Sequence, residues 1–310
     1  LKVYRLPYVF KIFNTPVNPF WYFSLRKIIK IERPDLINAH SPVPLLSDIA
    51  AIAANHVPFV LTYHAGTMQK GTWFADSIIW VYEHFALKKT AAVAQKIICS
   101  SGFVKNSVFQ DVAEKAYIVT PGVNVELFKP LDEVTKKENE IVFICSLAVM
   151  HQLKGLYVLI GALDMLVDKI PNLSLKIIGE RGTVAAKYVN FVGPKRGEDL
   201  VREMQTGSLL ALCSLMPSES FGMVLIEAMS CKMPVIGSNT GGIPEVVDNG
   251  KDGFIVQPED SIALAAVIEK LLCDKELSRR MGEEGYKKVR RTFTWQHKVA
   301  QTTSIFESVL

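Results

Sequence analysis

The stretch from Pro217 to Glu245 constrains the chain most. It reads Pro217-Ser218-Glu219-Ser220-Phe221-Gly222-Met223-Val224-Leu225-Ile226-Glu227-Ala228-Met229, continues through Cys231 to Pro234, and ends in Gly241-Gly242-Ile243-Pro244-Glu245. One carboxylate, Glu219, stands in a loop, a helix start follows, and a second carboxylate, Glu227, stands on that helix. The apolar residues Met223, Val224, Ile226 and Met229 fit a mostly buried helix, so Glu227 is a charge that burial penalises unless something hydrogen-bonds it. A ligand is one such partner; an arginine or a backbone group elsewhere in the fold is the other. The backbone N–H groups of Phe221, Gly222 and Met223 open the helix, and with its dipole they face any anion placed there, a phosphate above all.

This string resembles the donor-binding signature of the retaining nucleotide-sugar glycosyltransferases of the two-Rossmann-domain (GT-B) type. These form glycosyltransferase family 4, also called glycosyl transferases group 1, with sucrose synthases, bacterial glycogen synthases and phosphatidylinositol mannosyltransferases among its members. The shared features are the Glu219-to-Glu227 spacing, the strand at Pro234-Val235-Ile236, and the Gly241-Gly242 turn before Pro244-Glu245. The resemblance implies that Glu227 holds the ribose hydroxyls of the donor, that Glu219 lies by the transferred sugar, and that the amides of Phe221, Gly222 and Met223 face its diphosphate.

The chain's 310 residues, 49% hydrophobic and 21% charged, suffice for two globular domains. A net charge of +4 does not point to nucleic acid, though it suits anionic ligands or an anionic membrane surface. The five cysteines lie in apolar contexts without C-x-x-C spacing, which argues against zinc and against a disulfide framework and fits a reducing cytoplasm. No apolar run of roughly eighteen residues occurs, so membrane localisation would be peripheral. The opening Leu1-Lys2-Val3-Tyr4-Arg5-Leu6 is strand-like and lacks Met. The resemblance therefore leads us to expect that an earlier strand, Gly-rich loop and helix are missing.

Strands with polar C-terminal tips alternate with helical stretches, which predicts parallel sheets. The strands are expected around Ile37 to His40, Val57 to Tyr63, Lys96 to Cys99 and Ala116 to Val119, then Ile141 to Cys145, Leu173 to Ile178, Val189 to Gly193 and Ser208 to Met216. His40 ends the first of them, and His64 ends the second in a small-residue loop. In the family a histidine at the latter position lies beside the transferred sugar, which assigns His64 to the reacting end. Phe20 to Ile31 is a helix candidate whose aromatics accompany Arg26, Lys27 and Lys30. It suits either a membrane surface or an ordinary amphipathic helix covering a sheet.

The charged run Leu131 to Lys137 reads as an interdomain linker. We therefore expect an α/β protein of two doubly wound parallel-sheet domains facing a cleft. Residues 1–134 would form the acceptor side, 135–292 the donor domain, and 293–310 a helix returning to the first domain. In the second domain Lys154-Gly155 precedes an apolar helix, where a cation is poorly placed unless an anion offsets the helix dipole. The family carries a Gly, an Arg and a Lys-Gly in this loop, and Lys154 matches the lysine on the donor diphosphate. Cys145 and Ser146 replace the Gly and Arg, so one phosphate cation is either lost or supplied by another residue, with His151 as the candidate. By the same resemblance, the main chain at Gly193, Pro194 and Lys195 reads the base. No D-x-D carboxylate pair occurs, so neither metal nor other cofactor is expected.

The activity expected is retaining transfer of a hexose from a nucleotide-diphosphate sugar to a lipid-linked or saccharide hydroxyl. The alternatives are a nucleotide-sugar epimerase and a non-catalytic nucleotide-sugar-binding or membrane-associated subunit.

Overall fold

The computed structural model of the chain describes residues 2–12, 15–43, 45–68, 73–147, 150–182, 184 and 186–310. The chain divides into two compact units, residues 1–120 with 299–310, and residues 121–298.

The first unit opens with a short antiparallel pair, β1 (Phe10–Ile12) and β2 (Thr15–Val17). The strand expected before Pro7 does not form. Instead the carbonyl of Pro7 accepts from Asn18 Nδ2 and from the indole of Trp21, each at 2.9 Å, which anchors the segment as extended coil. Helix α1 (Trp21–Glu32) follows. A four-stranded parallel sheet is then built from β3 (Ile37–Ser41), β4 (Phe59–Tyr63), β5 (Lys96–Cys99) and β6 (Ala116–Ile118), in sequence order. Between these strands run α2 (Leu46–Ala54), α3 (Trp73–Val81), a wide π-type segment at Tyr82–Leu87, α4 (Lys88–Val93) and α5 (Gly102–Val108).

The strands alternate strictly, because successive side chains leave a strand on opposite faces. Phe59, Leu61 and Tyr63 pack on one face with Ala51, Leu87 and Ala91, while Val60 and Ile98 pack on the other with Ile305 from the C-terminal stretch.

The second unit holds a six-stranded, all-parallel sheet. Its strands are β7 (Glu140–Cys145), β8 (Ser174–Gly179), β9 (Val189–Gly193), β10 (Leu209–Leu212), β11 (Val235–Ser238) and β12 (Gly253–Val256), and its spatial order is β12-β11-β10-β7-β8-β9. Both faces are covered, as buried parallel sheets require. Ile141, Phe143, Leu209 and Ala211 face α6 (Leu156–Asp164). Val142, Leu210 and Leu212 face α7 (Gly197–Gln205) and α8 (Met223–Ser230). Beyond the Gly-Gly turn come α9 (Ile243–Val246), α10 (Ser261–Cys273), α11 (Lys275–Thr292) and α12 (Trp295–Glu307).

The division falls at 120/121 rather than at 134/135. Val123, Val125 and Phe128 are buried in the second unit's core, so the segment before the charged run belongs with it. At the other end the first unit takes up the chain from Val299, six residues later than the expected 293.

At the opposite end of the second sheet from the loops that matter below, Lys176 is 1% exposed. Its ammonium lies 2.8 Å from the buried Glu140 carboxylate and 2.7 Å from that of Glu203. Removing one partner from such a pair leaves the other charged and desolvated. Lys176→Met should therefore cost about 3–5 kcal/mol of stability, whereas Lys176→Met combined with Glu140→Gln should recover most of the loss, both read by chemical denaturation.

Candidate donor site

Strands β7 and β10 are neighbours, yet the helices that follow them lie on opposite faces of the sheet. That makes the gap between their C-terminal ends a topological switch point, where open parallel sheets bind ligands. Two loops flank the gap. One leaves β7 and carries Lys154 into α6; the other leaves β10 and carries Glu219 into α8.

Main-chain contacts hold both loops in place. Leu215 N donates to Leu153 O at 2.9 Å, which ties them to each other. Gly155 adopts φ +76°, and a Cβ there would lie 1.9 Å from the carbonyl oxygen of Cys213. The Lys154 loop can press this closely on the end of β10 only with glycine at that position. The Gly241-Gly242 turn supports the Glu219 loop in the same way. Gly242 N donates to Glu219 O at 2.9 Å, and Cβ atoms at the two glycines would fall 2.0 Å from the carbonyl oxygens of Glu219 and Ser220.

Within this frame the ammonium of Lys154 donates to Glu219 Oε2, and Ser214 Oγ lies 3.3 Å from the same oxygen. Two residues separated by 65 positions, each singled out in the sequence, thus form an ion pair; the carboxylate is 14% exposed and the ammonium 30%. Ser214 was not foreseen, since a lone serine after a strand carries no signal of its own.

Immediately beyond lies the start of α8. The amides of Phe221, Gly222 and Met223 donate to no protein acceptor among the described residues. Phe221 is buried edge-on against Phe293, with ring centroids 5.4 Å apart, so its side chain anchors the loop while its main chain remains available. Glu227 follows one turn along α8. It has no hydrogen-bond or ion-pair partner among the described residues, and burial pushes its carboxyl up to about 7. Gly193, Pro194 and Lys195 leave the end of β9, which is separated from β7 by β8.

His151 does not serve as a second cation. Its ring is buried beside Phe143 and Phe191, its Nε2 has no hydrogen-bond partner among the described residues, and burial disfavours its charged form. A charged imidazolium would forfeit hydration there that nothing replaces.

His64 belongs to the first unit, at the exit of β4, where its ring meets that of His40. Among the described residues no three or more His, Cys, Asp or Glu side chains cluster as a metal site, and the five cysteines are free thiols.

Two Rossmann-like α/β domains make up the GT-B fold of glycosyltransferases, and solved structures share that fold across nearly the whole chain. The UDP complex of HepE from Anabaena superposes with a TM-score of 0.76 at 20% identity, covering 92% of this chain and 82% of that one. The sucrose-phosphate synthase of Thermosynechococcus elongatus gives 0.75 at 21% identity, covering 94% and 77%.

The family model for glycosyl transferases group 1 matches residues 129–288, and that for Glycosyltransferase Family 4 matches residues 2–127. The chain belongs to this glycosyltransferase family. An uncharacterized glycosyltransferase of Methanocaldococcus jannaschii is 28% identical over 92% of this chain and 78% of its own length. The D-inositol 3-phosphate glycosyltransferase of Corynebacterium glutamicum is 29% identical over 64% of this chain, which spans about half of that relative, 52%.

The burial of Glu227 has a pH signature. Its folded-state pKa lies above the ordinary value of 4.5, so the folded chain holds the extra proton between about pH 4.5 and 7, and stability falls as pH rises through that window. Glu227→Gln should remove this slope and stabilise the ligand-free protein above pH 7 by on the order of 3 kcal/mol. Denaturant titrations of both proteins at pH 5 and pH 8 check this; parallel pH dependences would contradict it.

Proposed function

We propose that the chain is a retaining hexosyltransferase that takes its sugar from a nucleoside-diphosphate donor and delivers it to the hydroxyl of a lipid-linked or saccharide acceptor. The observation that carries this reading is the Lys154–Glu219 pair at the switch point, with three undonated amides opening α8 beside it.

A diphosphate seated there gains Lys154 and the α8 N-terminus, both of which stabilise negative charge growing on the leaving phosphate. Glu227 then binds the ribose hydroxyls, which as donors offset its burial, and the main chain at Gly193 to Lys195 faces the base. Glu219 and His64 are assigned to the transferred sugar. The departing phosphate takes the acceptor's proton on the face it leaves, so neither a metal nor a dedicated base is required. Because the HepE structures are complexes with UDP and UDP-glucose, UDP is the first nucleotide to try.

Calorimetry against UDP, GDP and ADP tests the donor site. One of them should bind the parent, and Glu227→Ala should weaken it by about ten- to a hundredfold, the loss expected for charge-assisted hydrogen bonds of about 1.5–3 kcal/mol. With the matching sugar donor, His64→Ala and Glu219→Gln should depress turnover while leaving nucleoside diphosphate affinity within about threefold of the parent. Absence of binding by any of the three nucleotides would remove the reading.

For the acceptor we favour a lipid, with the enzyme working in the cytoplasm at the inner face of the membrane. On α1 the exposed Phe23, Lys27, Lys30 and Ile31 recur at helical spacing and follow the exposed Phe20, while Trp21 is buried. Apolar and cationic side chains thus share one outward face. Among the described residues no helix is long and apolar enough to cross a membrane, so contact would be peripheral. Each cation near an anionic bilayer contributes about 1 kcal/mol. Sedimentation should show binding to anionic but not neutral vesicles, lost when Arg26, Lys27 and Lys30 become Gln; a soluble saccharide acceptor is indicated if no vesicle binds.

A further inference from the structure

In the first unit, the helical run from Trp73 to Val93, made of α3, the π-type segment and α4, reverses the polarity of an ordinary solvated helix. Toward the protein, Ile79, Leu87 and Ala91 are buried, but Tyr82 also donates its hydroxyl to Asp48 Oδ2 at 2.9 Å and Glu83 accepts from Met68 N at 3.1 Å. Outward stand Trp73, Phe74, Ile78, Trp80, Val81 and Phe85, each between 46% and 83% exposed. Contiguous apolar surface of this kind marks a binding face.

The exposed positions stay in line along the run. They recur as pairs, 73/74, 77/78, 80/81, 84/85, 88/89 and 92/93, and the first and last pairs stand 19 residues apart. Five turns of α-helix would advance about 18 residues. The π segment, whose turns close from i to i+5, supplies the extra residue and keeps the pairs on one side.

The charges on this face have one sign. Lys88 and Lys89 are exposed toward its C-terminal end, and no Asp or Glu is among its exposed, described residues. Lys88 also meets the exposed Asp111. At that end the run joins the layer that carries α1, since α4 packs on α2 and α2 on α1.

We infer that this face is a second membrane-docking element, lying in the interface of an anionic bilayer with its aromatic end among the acyl chains and its lysines at the headgroups. Helices of this composition lie in the plane of a bilayer, and Trp gathers at that boundary. A second copy of the chain, meeting it through the same face, would cover the aromatics but bring no acid to the two lysines, whereas anionic headgroups meet both. The inference deepens the reading of the acceptor as a lipid and rests on it for its purpose, but its residues are separate from those of α1.

The chain carries its own probes. Of its four tryptophans, Trp21 is buried, Trp295 begins α12, and Trp73 and Trp80 lie on this face. In the Trp295→Phe protein, vesicles of phosphatidylglycerol and acyl-brominated phosphatidylcholine should quench and blue-shift the emission. Replacing Trp73 and Trp80 by Phe should abolish the quenching but not sedimentation with the vesicles. Trp73→Ser combined with Phe74→Ser and Phe85→Ser should lower partition onto anionic vesicles by at least about tenfold. Far-UV circular dichroism should be unchanged, because all three side chains are exposed. Vesicle binding with the tryptophans unquenched would mean that α1 makes the contact alone, and overturns the inference. So does absence of vesicle binding, or a concentration-dependent dimer in its place that the serine substitutions dissociate. Quenching that persists when Arg26, Lys27 and Lys30 are Gln would support this face and remove α1 instead. None of these readouts uses donor or acceptor, so failure of the proposed glycosyl transfer would show separately, as absent nucleotide binding.

Discussion

Adjacent parallel strands whose connections leave on opposite faces cannot have their C-terminal ends covered by a single helix. In the second unit β7 and β10 stand in this relation, and the chemistry at that edge depends on it. The loop to α6 leaves one way and the loop to α8 the other. Backbone amides and charged side chains that elsewhere in a parallel sheet would be packed under a crossover are left at the edge of the core. The Lys154–Glu219 pair spans the parting, joining loops that come from opposite sides of the sheet. Each loop needs fixing from beneath, and close backbone approaches at Gly155, Gly241 and Gly242 provide it.

Charge placement in the second unit follows one rule with two outcomes. At the base of β7 and β8, Lys176 meets Glu140 and Glu203 inside the protein, so the cost of desolvating each charge is met internally. On α8, Glu227 is desolvated without such a partner among the described residues. A carboxylate buried and paired is explained by the fold alone. One half-buried and desolvated with no partner among the described residues, in the first turns of a helix, points to a binding partner, and perturbed groups of this kind concentrate at functional sites.

Much of the second unit was legible in the sequence, because its strands are continuous apolar runs and its helices carry clear caps. Asp260 and Asp274 accept from Ala263 N and Leu277 N at the starts of α10 and α11, where side-chain caps are favoured. The Glu219-to-Glu245 string located the α8 loop because glycines, carboxylates and apolar residues recur there at fixed offsets. The pairing of Lys154 with Glu219 was not legible, since it depends on which strands become neighbours, and strand order is not written in local spacing. The expectation for His151 failed for the same reason. Proximity in sequence to Lys154 suggested a shared ligand, whereas the path of the loop turns the ring toward Phe143 and Phe191. In the first unit, the hairpin at 10–17 and the helical run from Trp73 to Val93 carry weak or mixed periodicity and went unread. The two-residue spacings Asn38-x-His40 and Thr62-x-His64 were visible, but their connection required the register of β3 against β4.

The glycine turn at 241–242 bears on how such a site can change over time. It meets the main chain of Glu219 and Ser220, with the Gly242 amide donating to Glu219 O and a Cβ at either glycine falling on a carbonyl oxygen. The loop therefore works as a socket whose shape is independent of what is mounted in it. Exchanges at positions 219 and 220 can alter charge, length or hydrogen-bonding character without moving the backbone that presents them. Exchanges at 241 or 242 deform the socket whatever it holds. Variation is thus open to the side chains of the loop, while the turn beneath it is confined to glycine by space alone.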